Sequence, residues 1–267
     1  MTAADAAFEI PRVQGLRQHP FRVTGRLFWV SGELIRAALD FLVRCAFRPE
    51  SSRALWQQRA ARRHLRIFRF EAEVSGAIPA HGLLVSNHLS YLDILVLAAI
   101  TPAMFVAKRE VRSWPVLGWF TQLAGTLFID RERRMHVGPV NAEIQTALEH
   151  GALVVLFPEG TSSDGRTVLP FRSSLLEPAT LPAHPLHVSC IEYVIADGDA
   201  QREVCYWGDH TFFPHLLNLL AKRAIRARVR FAQVQNRSPD RKELALQLHA
   251  EVLKLKETAE NGAHSRI

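Results

Sequence analysis

Two side chains five positions apart, His88 and Asp93 in Ser86-Asn87-His88-Leu89-Ser90-Tyr91-Leu92-Asp93, form the pair in this chain best suited to move a proton. An imidazole held at one nitrogen by a carboxylate keeps a single tautomer, and its other nitrogen can then take a proton from a nucleophile. The spacing tests that idea. On one continuous helix, residues five apart point roughly 140° away from each other, so the two meet only where a helix begins between them. Ser90 is a suitable N-cap. Ser90-Tyr91-Leu92-Asp93 has the order of a capping box, with an acid at the third helical position reaching back toward the cap. His88 then sits on the incoming turn. A plainer role fits the same residues, in which Asp93 only caps a helix and His88 only satisfies a turn. No serine or cysteine nucleophile is spelled out beside the pair, and no Gly-x-Ser-x-Gly elbow occurs in the chain. The hydroxyl that such a base would activate therefore belongs to a substrate.

Two further stretches place chemistry at the ends of apolar runs. Gly125-Thr126-Leu127-Phe128-Ile129-Asp130-Arg131 delivers an arginine, and Phe157-Pro158-Glu159-Gly160-Thr161-Ser162 delivers a carboxylate, a glycine and hydroxyls. In a sheet whose functional loops gather at strand ends, three such termini can converge on one pocket.

The elements that would carry them alternate. Ile67 to Val74, Leu83 to Ser86, Met104 to Ala107, Thr126 to Ile129, Ala152 to Phe157, His187 to Val194, Val204 to Trp207 and Ala227 to Val234 read as strands. The run Ala152 to Phe157 is apolar enough for a central strand covered on both faces. Helices are expected over Tyr91 to Ile100, Val137 to His150, Thr211 to Ala221 and Pro239 to Lys256, with a helix or hairpin at Pro115 to Ala124. This alternation predicts a single α/β domain with a mixed, largely parallel sheet flanked by helices.

Ahead of it, Phe21 to Phe47 places Arg26, Glu33, Arg36, Asp40 and Arg44 on one helical face and Leu27, Phe28, Val30, Leu34, Ile35, Leu39, Phe41 and Leu42 on the rest. A membrane-spanning helix needs about 20 residues largely free of charge. An amphipathic helix lying at a membrane interface fits better, although a helix packed on its own domain has the same pattern. The following run, Arg53 to Arg66 with Arg59, Arg62, Arg63 and His64, reads as contact with anionic lipid. The expected organisation is a flexible lead-in over 1–20, a membrane-associating helical segment over 21–66, a catalytic domain over 67–258 and a tail over 259–267.

Composition bounds the partners. The 267 residues are 48% hydrophobic and carry a formal net charge of +7, with a pI near 9.8, so an anionic surface or carrier suits the chain. No zinc-finger, RNA-binding or helix-turn-helix pattern supports nucleic acid. Three scattered cysteines, Cys45, Cys190 and Cys205, argue against a disulfide scaffold or a metal site and suit a reducing compartment. Gly160 to Thr167 approaches a phosphate-binding P-loop, but Arg166 stands where lysine is required and Pro170 interrupts the helix that should follow.

Taken in order, Asn87-His88 followed four residues later by Asp93, then Gly125-x-x-Phe128-Ile129-Asp130-Arg131, then Phe157-Pro158-Glu159-Gly160-Thr161-Ser162 resembles the glycerolipid acyltransferase family, especially the 1-acylglycerol-3-phosphate acyltransferases. The likeness runs from about Phe70 to Val194. Pro185-Leu186-His187-Val188-Ser189 matches a fourth family block loosely, and Phe171-Arg172-Ser173-Ser174 departs from the usual Phe-Lys-x-Gly.

The resemblance implies that His88 is a general base and Asp93 its support. It places Arg131 on an acceptor phosphate and Glu159, Gly160, Thr161, Asn87 and Lys108 among substrate contacts. It implies an acyl-CoA or acyl carrier protein donor, a lysophospholipid acceptor, no cofactor and no metal. The implied location is the cytoplasmic face of a bacterial inner membrane. Lyso-ornithine lipid is an alternative acceptor, and a non-catalytic membrane lipid-binding protein is the competing class.

Overall fold

The structure, a computed structural model, describes residues 14–45, 51–114, 116–130 and 137–264. Among the described residues, three helices precede the first strand: α1 (Gln14–Gln18), α2 (Pro20–Arg44) and α3 (Ser51–Phe68). Then β1 (Phe70–Ser75), β2 (Gly82–Ser86), α4 (Leu92–Ile100) and β3 (Met104–Lys108) follow. A 3-10 turn over Arg109–Ser113 leads to α5 (Leu117–Leu123), β4 (Leu127–Ile129), α6 (Val137–Glu149) and β5 (Leu153–Leu156). The chain closes with α7 (Glu177–Thr180), β6 (Leu186–Val194), α8 (Ala200–Glu203), α9 (Phe212–Ala221), β7 (Ile225–Gln233) and α10 (Arg241–His264).

The strands form one seven-stranded sheet in the order β1-β7-β6-β2-β5-β3-β4. Its described neighbours run parallel except β6 and β7. This is the mixed, largely parallel sheet that the alternating pattern predicts. Strand β5 is buried at every position because helices cover both sides. Leu153 and Val155 join α3, α4 and α9 in one core, while Val154 and Leu156 join α6 and α10 in the other.

Three expectations differ from the structure. Ile67 and Phe68 finish α3 rather than starting a strand, because Phe68 continues the helical stripe of Ala61 and Leu65 into the core. Arg69, at φ 55°, makes the break. Val204 to Trp207 is not a strand: after α8 the chain crosses the loop beyond β2, and Tyr206 N donates to Leu89 O at 2.7 Å in place of a ladder. The last helix runs on to His264 rather than stopping near Lys256.

Helix α2 packs with its charges inward. Arg22 and Arg26 donate to the carbonyls of Ala221 and Lys222 at 2.6 and 2.5 Å, closing the C-terminal end of α9. Buried Glu33 pairs with Arg36 at 2.5 Å, with Arg63 of α3 at 3.9 Å, and Asp40 pairs with Arg59 at 3.4 Å. Arg62 donates to Ala99 O at the end of α4. The basic run of α3 therefore engages α2 and α4 through Arg59, Arg62 and Arg63, while Arg62 and Arg66 also stay exposed to solvent. Val23, Ala37 and Phe41 of α2 are buried against the protein, while a broad apolar face points outward, with Phe21, Phe28, Trp29, Ile35, Leu39, Leu42 and Val43 all exposed.

Candidate active site

Strands β2, β5, β3 and β4 are mutually parallel neighbours, so their C-terminal ends share one edge of the sheet. Register keeps those ends level, with Val85 opposite Leu156, Val155 opposite Phe105 and Lys108 opposite Ile129. The loops bearing His88 and Glu159 thus leave adjacent strands side by side.

His88 and Asp93 meet as the broken-helix geometry requires. His88 Nδ1 lies 2.8 Å from Asp93 Oδ2. The same oxygen accepts the backbone amides of Leu89 at 2.7 Å and Ser90 at 3.0 Å. Tyr193 donates its hydroxyl to Oδ1 at 2.5 Å. Asp93 is fully buried and His88 is 21% exposed, so the acid is sealed inside while the ring reaches the surface. The ring stacks on Phe157, with centroids 4.3 Å apart. Half of the expected capping box forms: the acid reaches back to the preceding amides, but buried Ser90 Oγ makes no hydrogen bond.

Glu159 accepts the backbone N–H of His88 at 3.1 Å through Oε1. Burial, and then the nearby Asp93 charge, push its carboxyl up to about 8 against the opposing amides of His88 and Leu169. The Leu169 amide falls short of a full hydrogen bond, since Oε2 is buried without a partner. Near neutral pH the Glu159 carboxyl is therefore mostly protonated.

The remaining predicted residues divide. Asn87 is buried, and both ends of its amide are held by the main chain of Ile191, Nδ2 to the carbonyl at 3.0 Å and Oδ1 from the N–H at 2.7 Å. It is a clamp between β2 and β6, which corrects its assignment as a substrate contact. Gly160, at φ 79°, makes the turn after Glu159 that a side chain would strain, and its N–H bonds to Phe157 O at 3.2 Å. Thr161 is exposed just beyond. Lys108 ends β3 on the shared edge but is exposed and pairs with Glu110 at 3.4 Å. Arg131 lies outside the described residues. The amides of His88, Leu89, Ser90 and Gly160 are already bonded within the site, so these four are not free to hold an oxyanion. The loop after Gly160 runs on irregularly to a 3-10 turn at Ser173–Leu175 without opening a helix, so no P-loop forms.

Sequence reading missed the wall facing this loop. Tyr91 OH lies 3.0 Å from His215 Nδ1, and Tyr206, His210 and Phe212 pack around them. Burial, with His210 adding to it, lowers the His215 imidazole to about 3, so the ring is neutral. The crowding of aromatic and histidine residues between Tyr206 and His215 was the available signal. Tyr193 carried none, since in sequence it is one more apolar position of a strand.

The acyltransferase family model matches residues 70–189 of this chain. A lyso-ornithine lipid O-acyltransferase of Brucella abortus is 39% identical over 191 residues, 66% of this chain and 72% of that protein. A second protein of that name, from Rhizobium meliloti, is 37% identical over 61% of each chain. A 1-acyl-sn-glycerol-3-phosphate acyltransferase of Neisseria gonorrhoeae is 44% identical over 110 residues, 40% of this chain and 43% of that one. The crystal structure of the 1-acyl-sn-glycerophosphate (LPA) acyltransferase from Thermotoga maritima superposes with a TM-score of 0.62, covering 91% of this chain and 98% of that one at 17% identity. This chain belongs to the acyltransferase family, and it is an acyltransferase enzyme with the fold of that structure.

Proposed function

We propose that the chain transfers a fatty acyl group from an acyl thioester to the free hydroxyl of a lysolipid. The 2.8 Å contact between His88 Nδ1 and Asp93 Oδ2 carries this reading. With Nδ1 fixed, Nε2 takes the proton of the acceptor hydroxyl while its oxygen attacks the thioester carbonyl. The new C–O bond forms, the C–S bond breaks, and the imidazolium returns the proton to the departing thiolate. Buried Asp93 stabilises that transient cation. A protein that only binds lipid has no use for such a base, which weighs against the non-catalytic alternative.

Two acceptors draw support from different observations. Lyso-ornithine lipid is supported by the length of the match to the Brucella relative. The 1-acylglycerol 3-phosphate is supported by the higher identity to the Neisseria relative over a shorter stretch and by Arg131 in its motif, a guanidinium suited to phosphate. The donor is acyl-CoA or acyl carrier protein. Since both thioesters are cytoplasmic, the site works on the cytoplasmic face of the membrane. The outward apolar side of α2 seats the protein on the lipid surface. Among the described residues no helix is long and apolar enough to cross a bilayer.

The test offers purified protein one labelled acyl donor and a panel containing lyso-ornithine lipid, 1-acylglycerol 3-phosphate and a lysophosphatidylethanolamine, with products separated by chromatography. Acylation of a panel member, lost on the order of 10²- to 10⁴-fold in His88→Ala while vesicle binding is kept, supports the reading. Failure to acylate any of them, or full activity in the variant, overturns it.

A further inference from the structure

Strand β6 is nine residues long and outruns its neighbour β2, which has five. Register pairs Ser86, the last residue of β2, with Ser189, so Cys190 to Val194 continues past the end of β2 alongside the loop that carries His88. Two positions of this overhang hold that loop. The main chain of Ile191 grips both ends of the Asn87 amide, and the hydroxyl of Tyr193 reaches Asp93 Oδ1 at 2.5 Å. Because successive strand side chains alternate, Ile191 and Tyr193 lie on the same face, the one turned toward α4. The loop is therefore fastened just before His88 and, through Asp93, just after it, by one rigid strand.

The two oxygens of Asp93 are loaded unequally. Oδ2 receives His88 Nδ1 and two backbone amides, whereas Oδ1 receives the phenol. Burial, and then the adjacent Asp93 charge, hold the Tyr193 proton in place far above the ordinary phenol range, so Tyr193 acts as donor throughout the working pH range. Its ring is fixed edge-on against Phe70, with centroids 6.1 Å apart.

We propose that Tyr193 is a positioning residue for the acyl-transfer base: its hydroxyl fixes the rotation of the Asp93 carboxylate, so that Oδ2 stays on His88 Nδ1 and the ring stays correctly turned. The inference rests on the proposed role of His88. The physical reason is the geometry of one carboxylate. With Oδ1 held by the phenol and Oδ2 by His88 and two backbone amides, rotating the group breaks hydrogen bonds at both oxygens. Without the phenol the carboxylate turns more freely, and the ring loses the partner that fixes its tautomer.

The experiment follows the histidine ring nitrogens by NMR in ¹⁵N-histidine-labelled full-length protein, with His88 assigned from the difference against His88→Ala. In Tyr193→Phe, which keeps the buried ring, the His88 nitrogens are expected to lose the single-tautomer signature of the wild type and to show averaged shifts. In parallel, kcat is expected to fall on the order of tenfold to a hundredfold with KM unchanged. His88 ring-nitrogen shifts that superimpose on the wild type overturn the inference, whatever happens to melting temperature. Because the NMR readout needs no turnover, absence of acyl transfer in the wild type refutes the proposed function separately.

Discussion

At the scale of single residues, Glu159 shows how burial changes what a charged side chain can do. Burial inside the fold, and then the adjacent Asp93 charge, push its carboxyl up to about 8. The consequence for stability has a definite sign. Since the folded state binds this proton more tightly than the unfolded chain does, the stabilisation from Glu159 is complete below about 4.5 and is lost as pH rises through about 8. Melting temperature measured across that window should fall less steeply in Glu159→Gln than in the wild type. Asn87 gives a second prediction at this scale. Asn87→Ala strands the N–H and C=O of Ile191 inside the protein, at a cost of about 1–3 kcal/mol for each orphaned group. Chemical denaturation should show that loss, and activity should fall with it because the loop before His88 is released.

At the scale of elements, α2 inverts the usual orientation of an amphipathic helix on a globular domain. Most of its charged stripe is engaged by contacts with α3 and α9 beside buried Val23, Ala37 and Phe41, and a broad apolar stripe is left in water. Burying such side chains in lipid is worth about 1.5–3 kcal/mol each. Phe28, Ile35 and Leu42 recur every seven residues along the outward face. Replacing all three with glutamate should weaken partition into phospholipid vesicles on the order of a hundredfold or more. Because all three are exposed, circular dichroism of the protein in solution should stay unchanged. Vesicle sedimentation checks the first point, and undiminished binding would overturn the proposed membrane role of this face.

At the scale of the whole molecule, one sheet carries two tasks: its C-terminal edge assembles the site, and the helices on one of its faces hold α2 in place. Glu33 is the hinge of the second task, being buried and bonded to Arg36 and, more distantly, to Arg63 of α3. Glu33→Ala should loosen α2 from α3, read as faster amide exchange over 20–44 with protection in β2, β5 and β6 unchanged. Loss of protection in the sheet as well would mean that α2 and the sheet unfold as one unit.

Sequence alone determined what local patterns encode. The strand-helix alternation predicted the α/β sheet, and the five-residue spacing of His88 and Asp93 required a helix to start between them, as it does. The charge stripe of α2 was legible, yet which side of it faced the protein was not, because that depends on arginines supplied by α3 and carbonyls at the end of α9. Tertiary structure alone decided that Tyr193 reaches Asp93 from a strand a hundred residues away. It decided likewise that Asn87 is a clamp and that Glu159 keeps its proton. Each of these follows from register and burial, which are set by neighbours distant in sequence and leave no periodic trace in the residues themselves.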